Sequence, residues 1–198
     1  MKKYIIVFIL FGLIFCNGFA QNSMRFGIKS GVTFSKAITD ADIPSDIDEK
    51  IKTGFAGGGM MIYKLNNNMA IQAELMYVQK GELLEVSDPP IKLPLVMNGF
   101  ELPVLLKYMV SENMNIYGGF SINYIIAASV EGADLLEEDL IKNFGYGLSL
   151  GGQYVYENLI MDLRFDLGLS NYVEEDLFGE GDSAKLNTLY LTIGYLFK

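Results

Sequence analysis

From residue 24 onward the chain keeps returning to one pattern, an apolar side chain at every second position with a small or polar one between. In the stretch 24–34, Met24, Phe26, Ile28, Val32 and Phe34 alternate with Arg25, Gly27, Lys29, Gly31 and Thr33. Successive side chains of an extended backbone leave on opposite faces, so a period of two predicts a strand with one apolar face. The same period marks segments 54–65, 69–81, 98–108, 114–126, 143–154, 159–170 and 188–198. Eight strands are expected. Asn66–Asn68, Ser111–Asn113 and Glu157–Asn158 have the length and residue types of tight hairpin turns. They alternate with four long polar connections, 36–52, 81–96, 129–141 and 171–185. Odd-numbered strands begin at Met24, Met69, Met114 and Leu159, a spacing of 45 residues. Uniform strand and loop lengths account for it, because side-chain identities do not repeat.

Alternation alone fits two opposite objects. A soluble, lipocalin-like ligand-binding barrel turns its apolar face inward; a membrane barrel turns it toward lipid and encloses the polar face. Segment 159–170 bears on the choice, since Asp162, Arg164 and Asp166 sit between Leu159, Met161, Leu163, Phe165, Leu167 and Leu169. Three ionised groups in a row suit a packed, charged lumen. Glycines gather on that same face, which makes room there for Lys29, Glu74, Glu101, Lys107, Asp162, Arg164 and Asp166. These seven form the expected lumen polar network, a structural set of ion pairs. On the apolar face the aromatic residues fall near strand ends. Phe34, Phe55, Tyr77, Phe100, Tyr124 and Phe144 lie toward the long connections; Phe26, Tyr63, Tyr108, Tyr154 and Phe197 lie toward the short turns. Two girdles of this kind mark two membrane interfaces. Long connections on one side and short turns with both termini on the other is the outer-membrane arrangement. The expectation is therefore an all-β, eight-stranded antiparallel up-and-down transmembrane β-barrel, with both termini periplasmic.

The N-terminus supports export. Lys2 and Lys3 precede an apolar run from Tyr4 to Phe15, and Gly18-Phe19-Ala20 supplies a small-residue cleavage site. Residues 1–20 are expected to be a signal peptide and 21–198 the barrel domain. Cys16 as a lipid-anchored residue is disfavoured by the bulky Phe15 before it. Removal of the leader takes away the only cysteine, and the chain has no histidine. A thiolate metal site or a histidine general base is thus not available, and no catalytic residue, metal or cofactor is expected. The four long connections hold 18 of the 24 acidic residues and only 5 basic ones. Such a surface repels nucleic acid; outer-membrane lipid, lipopolysaccharide and other envelope proteins are the expected partners. None of the acidic runs has the glycine and glutamate offsets of an EF-hand loop.

The segments "GIKSGVTFS", "AELMYVQKG", "FELPVLLKY" and "LTIGYLF" together resemble the PorT-like outer-membrane β-barrel family of Bacteroidota, over essentially the whole chain after the leader. The resemblance implies an eight-stranded barrel without catalytic residues, and it suggests an accessory role in protein secretion. Gly99 departs from the family, which has an aromatic residue there, and an unfilled lumen position is expected at that point.

Overall fold

The computed structural model describes residues 24–39, 47–86, 91–130, 133–136, 140–173 and 184–197. The expected leader and parts of all four acidic connections, including Glu137–Asp139 and Glu174–Asp176, lie outside these residues. The eight strands are β1 (Met24–Thr39), β2 (Ile47–Lys64), β3 (Met69–Val86), β4 (Ile91–Met109), β5 (Met114–Val130), β6 (Phe144–Tyr156), β7 (Leu159–Gly168) and β8 (Ala184–Leu196). A two-residue strand, Ala133–Asp134, pairs with the end of β5. Each strand is antiparallel to the next, and β8 returns to β1 from Gly27↔Leu196 to Thr39↔Ala184. Closure matters because an open edge would leave backbone donors and acceptors without partners in hydrocarbon.

The short turns are built as their residues predict. Asn66 caps its own turn, its Oδ1 accepting from the backbone N–H of Asn68 and Met69, each at 2.9 Å. Glu157 takes a left-handed conformation (φ 54°), as a two-residue hairpin demands. At the other end the structure corrects the sequence reading. Much of 36–52 and 81–96 is strand rather than loop. β2 pairs with β3 from Ile47↔Val86, and β3 with β4 up to Val86↔Ile91. Acidic residues made these stretches read as loop, yet an extended ribbon standing in water tolerates charge on both faces.

Two residues of β4 bear on how it packs. Pro103 faces inward, and the register is unbroken on either side of it, with Ala73↔Val104 and Met76↔Glu101 on β3 and Pro103↔Ser121 on β5. No bulge forms there. The bulge lies between Asn98 and Gly99. A Cβ on Gly99 would stand on the Tyr124 carbonyl oxygen and 3.0 Å from Ile125 Cα. The glycine thus admits the neighbouring backbone, and a small cavity lined by Val78, Lys80, Met97, Gly99 and Asn123 remains beside it.

Burial is inverted relative to a soluble barrel. Leu163 and Phe165 are 53% and 43% exposed, while Arg164 between them is 0% exposed. The lipocalin-like alternative is excluded, because its apolar residues would have to line the interior. The lumen itself is layered. Met60, Ile62, Ala70, Ile160 and Leu196 fill the short-turn end. A second apolar cluster, which includes Leu95, Met97, Ile125, Ile141, Tyr172 and Val173, fills the long-connection end. There an isolated bridge, Ile141↔Val173, crosses the top. Charged groups occupy the middle.

Candidate functional site

The middle layer is organised by Arg164, whose β7 position turns inward because Leu163 and Phe165 turn outward. Its guanidinium reaches three carboxylates, Glu74 at 2.8 Å, Glu101 at 2.5 Å and Asp166 at 3.1 Å. It also lies 4.1 Å from the centre of the Tyr190 ring, within cation–π range. Lys29 bridges Glu74 at 2.7 Å and Asp162 at 2.8 Å. The second oxygen of Asp162 accepts from the Tyr117 hydroxyl at 2.7 Å, and Tyr190 donates to Glu101 at 2.7 Å. Lys107 donates to two amide oxygens, Gln72 at 2.9 Å and Gln153 at 2.5 Å. Gln72 in turn donates to Glu74.

All seven charged residues named from the sequence therefore sit in one connected, buried set. The structure adds an eighth, Lys80, which pairs with Glu101 at 3.0 Å and donates to Asn123 at 2.6 Å. Its signal was in the sequence, since Lys80 has the inward parity of Glu74. With it the layer balances, Lys29, Lys80, Lys107 and Arg164 against Glu74, Glu101, Asp162 and Asp166. The two tyrosines that complete the set were visible only as members of the polar face. Paired charges of this kind persist in a low-dielectric interior, whereas breaking a pair by removing one partner costs ~3–5 kcal/mol.

Some glycines fit the network directly. A Cβ on Gly151 would fall on the Tyr117 hydroxyl and on the Leu163 carbonyl, whereas on neighbouring Gly152 the nearest atom would be 3.5 Å away. Gly151→Val should lift Tyr117 off Asp162 and lower stability by about 1–3 kcal/mol. Gly152→Ala should be nearly neutral. Urea titration of both variants refolded into lipid vesicles checks this; equal midpoints would contradict the fit.

Outside the barrel, the aromatic residues named from the sequence all lie on the apolar face. Toward the long connections, Tyr77↔Phe100, Phe100↔Tyr124 and Tyr124↔Phe144 are direct cross-strand partners. Phe55 adds to this row at 5.7 Å from Tyr77. Phe34 stands at the same end on β1. At the short-turn end Phe26, Tyr63, Tyr108, Tyr154 and Phe197 are separated by aliphatic partners such as Met24↔Tyr63 and Met69↔Tyr108. Tyr195 joins them, 6.1 Å from Phe197. Above the upper row, Glu85 is flanked by Lys92 at 2.6 Å and Lys50 at 3.5 Å. The hydrogen bond from Lys92 holds the Glu85 carboxyl below its ordinary range. Among the described residues no group of three or more His, Cys, Asp or Glu side chains is placed to hold a metal.

A family model described as "Outer membrane protein beta-barrel domain" matches residues 19–174. The chain belongs to that family. This outer-membrane barrel superimposes on Neisserial surface protein A with a TM-score of 0.58 at 15% identity, covering 87% of this chain and 97% of that one. It superimposes on Ail, the attachment invasion locus protein of Yersinia pestis, with a TM-score of 0.51 at 15% identity, covering 88% and 99%. At such identity the likeness is one of fold. No curated protein sequence matches this one. Family membership and the apolar belt together place the barrel in an outer membrane.

Proposed function

We propose that this barrel is a non-catalytic envelope protein. It is a sealed anchor whose long-connection end meets ligands or other envelope proteins outside the cell, with both termini in the periplasm. The observation that carries the reading is the three-layered lumen. A neutral, ion-paired charged layer between two apolar ones gives neither a continuous water path nor a place for a substrate to reach a reactive group. The seven charged residues named from the sequence act here as structural ion pairs, and the aromatic rows set the barrel's depth in the bilayer. Support for the orientation comes from the short turns at the end that carries both termini.

Purified protein in planar bilayers is expected to give no steady conductance steps; reproducible single-channel steps would overturn the sealed reading. Protease added to whole cells should cut only at the long-connection end. Cleavage at Asn66–Asn68 or Ser111–Asn113 in intact cells would reverse the orientation. Ail has been crystallised with the heparin analogue sucrose octasulfate. This chain carries a formal net charge of −9 with its acids gathered at one end, so like-charge repulsion should prevent retention on heparin at physiological salt. Lipopolysaccharide and lipid remain the natural surroundings of the belt.

The PorT-like sequence resemblance favours a second reading, an accessory of a protein-secretion complex. Crosslinking in native membranes followed by identification of the captured proteins tests it; recovery of lipid and abundant porins alone would remove it.

A further inference from the structure

The outer surface of the β8–β1–β2 wall carries two features that the sealed lumen does not use. At its top stand two lysines. Ile38↔Lys185 and Lys36↔Asn187 are direct partners across β1 and β8, so Lys36 and Lys185 are diagonal neighbours on the outward face, about 7–8 Å apart. They lie just above Phe34 and Leu189, where the apolar belt gives way to headgroups. Lys50 and Lys92 at the same end both pair with Glu85; among the described residues Lys36 and Lys185 pair with no carboxylate. Lower on the same wall lies a groove of about 480 Å³, lined by Ile28, Ser30, Gly57, Leu159, Ile193 and Tyr195. Its floor is low because Ser30 and Gly57, direct partners, are both small. Packing does not require the glycine. A Cβ on Gly57 would meet nothing closer than Ser30 Cβ at 3.6 Å, whereas on inward Gly58 it would strike the Leu75 carbonyl.

The two features are spaced as the two ends of one amphiphile. Lys36 is six residues above Ser30 on β1, about 20 Å of strand at ~3.3 Å per residue. At a strand tilt of about 35–45° this is about 15 Å of depth, a little over half of an apolar band about 25 Å tall. A groove at that depth meets hydrocarbon, and its volume falls within the ~300–1,000 Å³ of ligand clefts. Two ammonium groups on flexible stems converge on a phosphate as point charges, with their apolar stems lying along the belt. A free anion would have to pass the acidic connections that crowd this end, whereas a lipid arrives sideways within the leaflet. We propose that this wall binds one phosphorylated lipid of the outer leaflet, its phosphate between Lys36 and Lys185 and an acyl chain in the groove over Gly57. The assignment to the outer leaflet rests on the orientation proposed above, with the long connections outside the cell.

Native mass spectrometry of the barrel in mild detergent tests this, with diphosphoryl lipid A, a neutral galactosyl diacylglycerol and inorganic phosphate as probes. One lipid A per barrel is expected, held about tenfold more tightly than the neutral lipid, as loss of a hydrogen bond to a charged group implies. Lys36→Gln with Lys185→Gln should erase that preference, and Gly57→Leu should weaken both lipids. Lys64→Gln, at the short-turn end, should change neither. Equal retention of the two lipids by the unmodified protein would overturn the proposal. So would displacement of lipid A by inorganic phosphate together with a Gly57→Leu variant that binds normally, which would mean a simple anion site. Heat-dependent gel mobility shows which variants are folded, and the unmodified protein decides the matter if one is not. Binding in detergent does not depend on orientation, so failure here is separate from failure of the orientation reading, which protease treatment of whole cells reports.

Discussion

Arg164→Met is expected to abolish, or nearly abolish, refolding of the barrel into lipid vesicles. Methionine keeps most of the side-chain volume, so the effect isolates charge. Without the guanidinium, Glu74, Glu101 and Asp166 lose the group that all three contact within 3.1 Å, and each is less than a tenth exposed. Stranding a buried charge costs ~3–5 kcal/mol, a large share of the ~5–15 kcal/mol that holds a typical domain together. Lys80→Met should cost less, because Glu101 would retain Arg164 and the Tyr190 hydroxyl. The triple change Arg164→Met, Glu74→Gln, Glu101→Gln should recover part of the loss, since it removes cation and anions together. Heat-dependent gel mobility and urea midpoints in vesicles measure all three. A methionine variant as stable as the parent would mean that the charged layer does not hold the strands together.

The second large effect lies one residue away and has the opposite logic. Leu163→Arg places on the lipid face the very group that residue 164 requires on the lumen face. At mid-bilayer such a side chain costs about 2–4 kcal/mol, falling to about 0–1 kcal/mol near an interface. Leu163 lies midway along β7, whereas Leu169 lies just beyond its upper end at Gly168. Leu163→Arg should therefore lower stability severely and Leu169→Arg barely, when both are titrated in the same vesicles. Equal costs at the two positions would argue that no hydrocarbon gradient surrounds the strand.

Much of this arrangement was legible because a barrel wall obeys strict parity. In 159–170 the order of charges and aliphatic residues alone separates the two faces, and the tight turns place Met24, Met69, Met114 and Leu159 at strand starts, where the structure has them. Three features escaped for physical reasons. Strand ends beyond the aromatic rows, such as residues 82–86 with Glu82 and Glu85, carry charges on both faces and so lose the period. The apolar lumen layers interrupt the polar face, since Met60 and Ile62 are inward neighbours of outward Met61 and Tyr63; the local sequence there is simply a greasy run. Partner choice inside the lumen depends on closure. Arg164 meets Glu74 and Glu101 across sequence separations of 90 and 63 residues, which no local pattern encodes. The settings of Gly99 and Pro103 are likewise fixed by the backbone of the adjacent strand, which the local sequence does not show.

The most direct measurement is a spin-label scan of β8 from Leu189 to Tyr195 in reconstituted bilayers, one cysteine at a time in a background without Cys16. Collision with molecular oxygen should peak at 189, 191, 193 and 195 and fall at 190, 192 and 194. A water-soluble nickel chelate should reach neither set at mid-depth. Strong chelate collision at 190, 192 and 194 would reveal a water-filled pore; strong collision at the odd-numbered set would mean that the apolar belt faces water, and either result would contradict a sealed barrel in lipid.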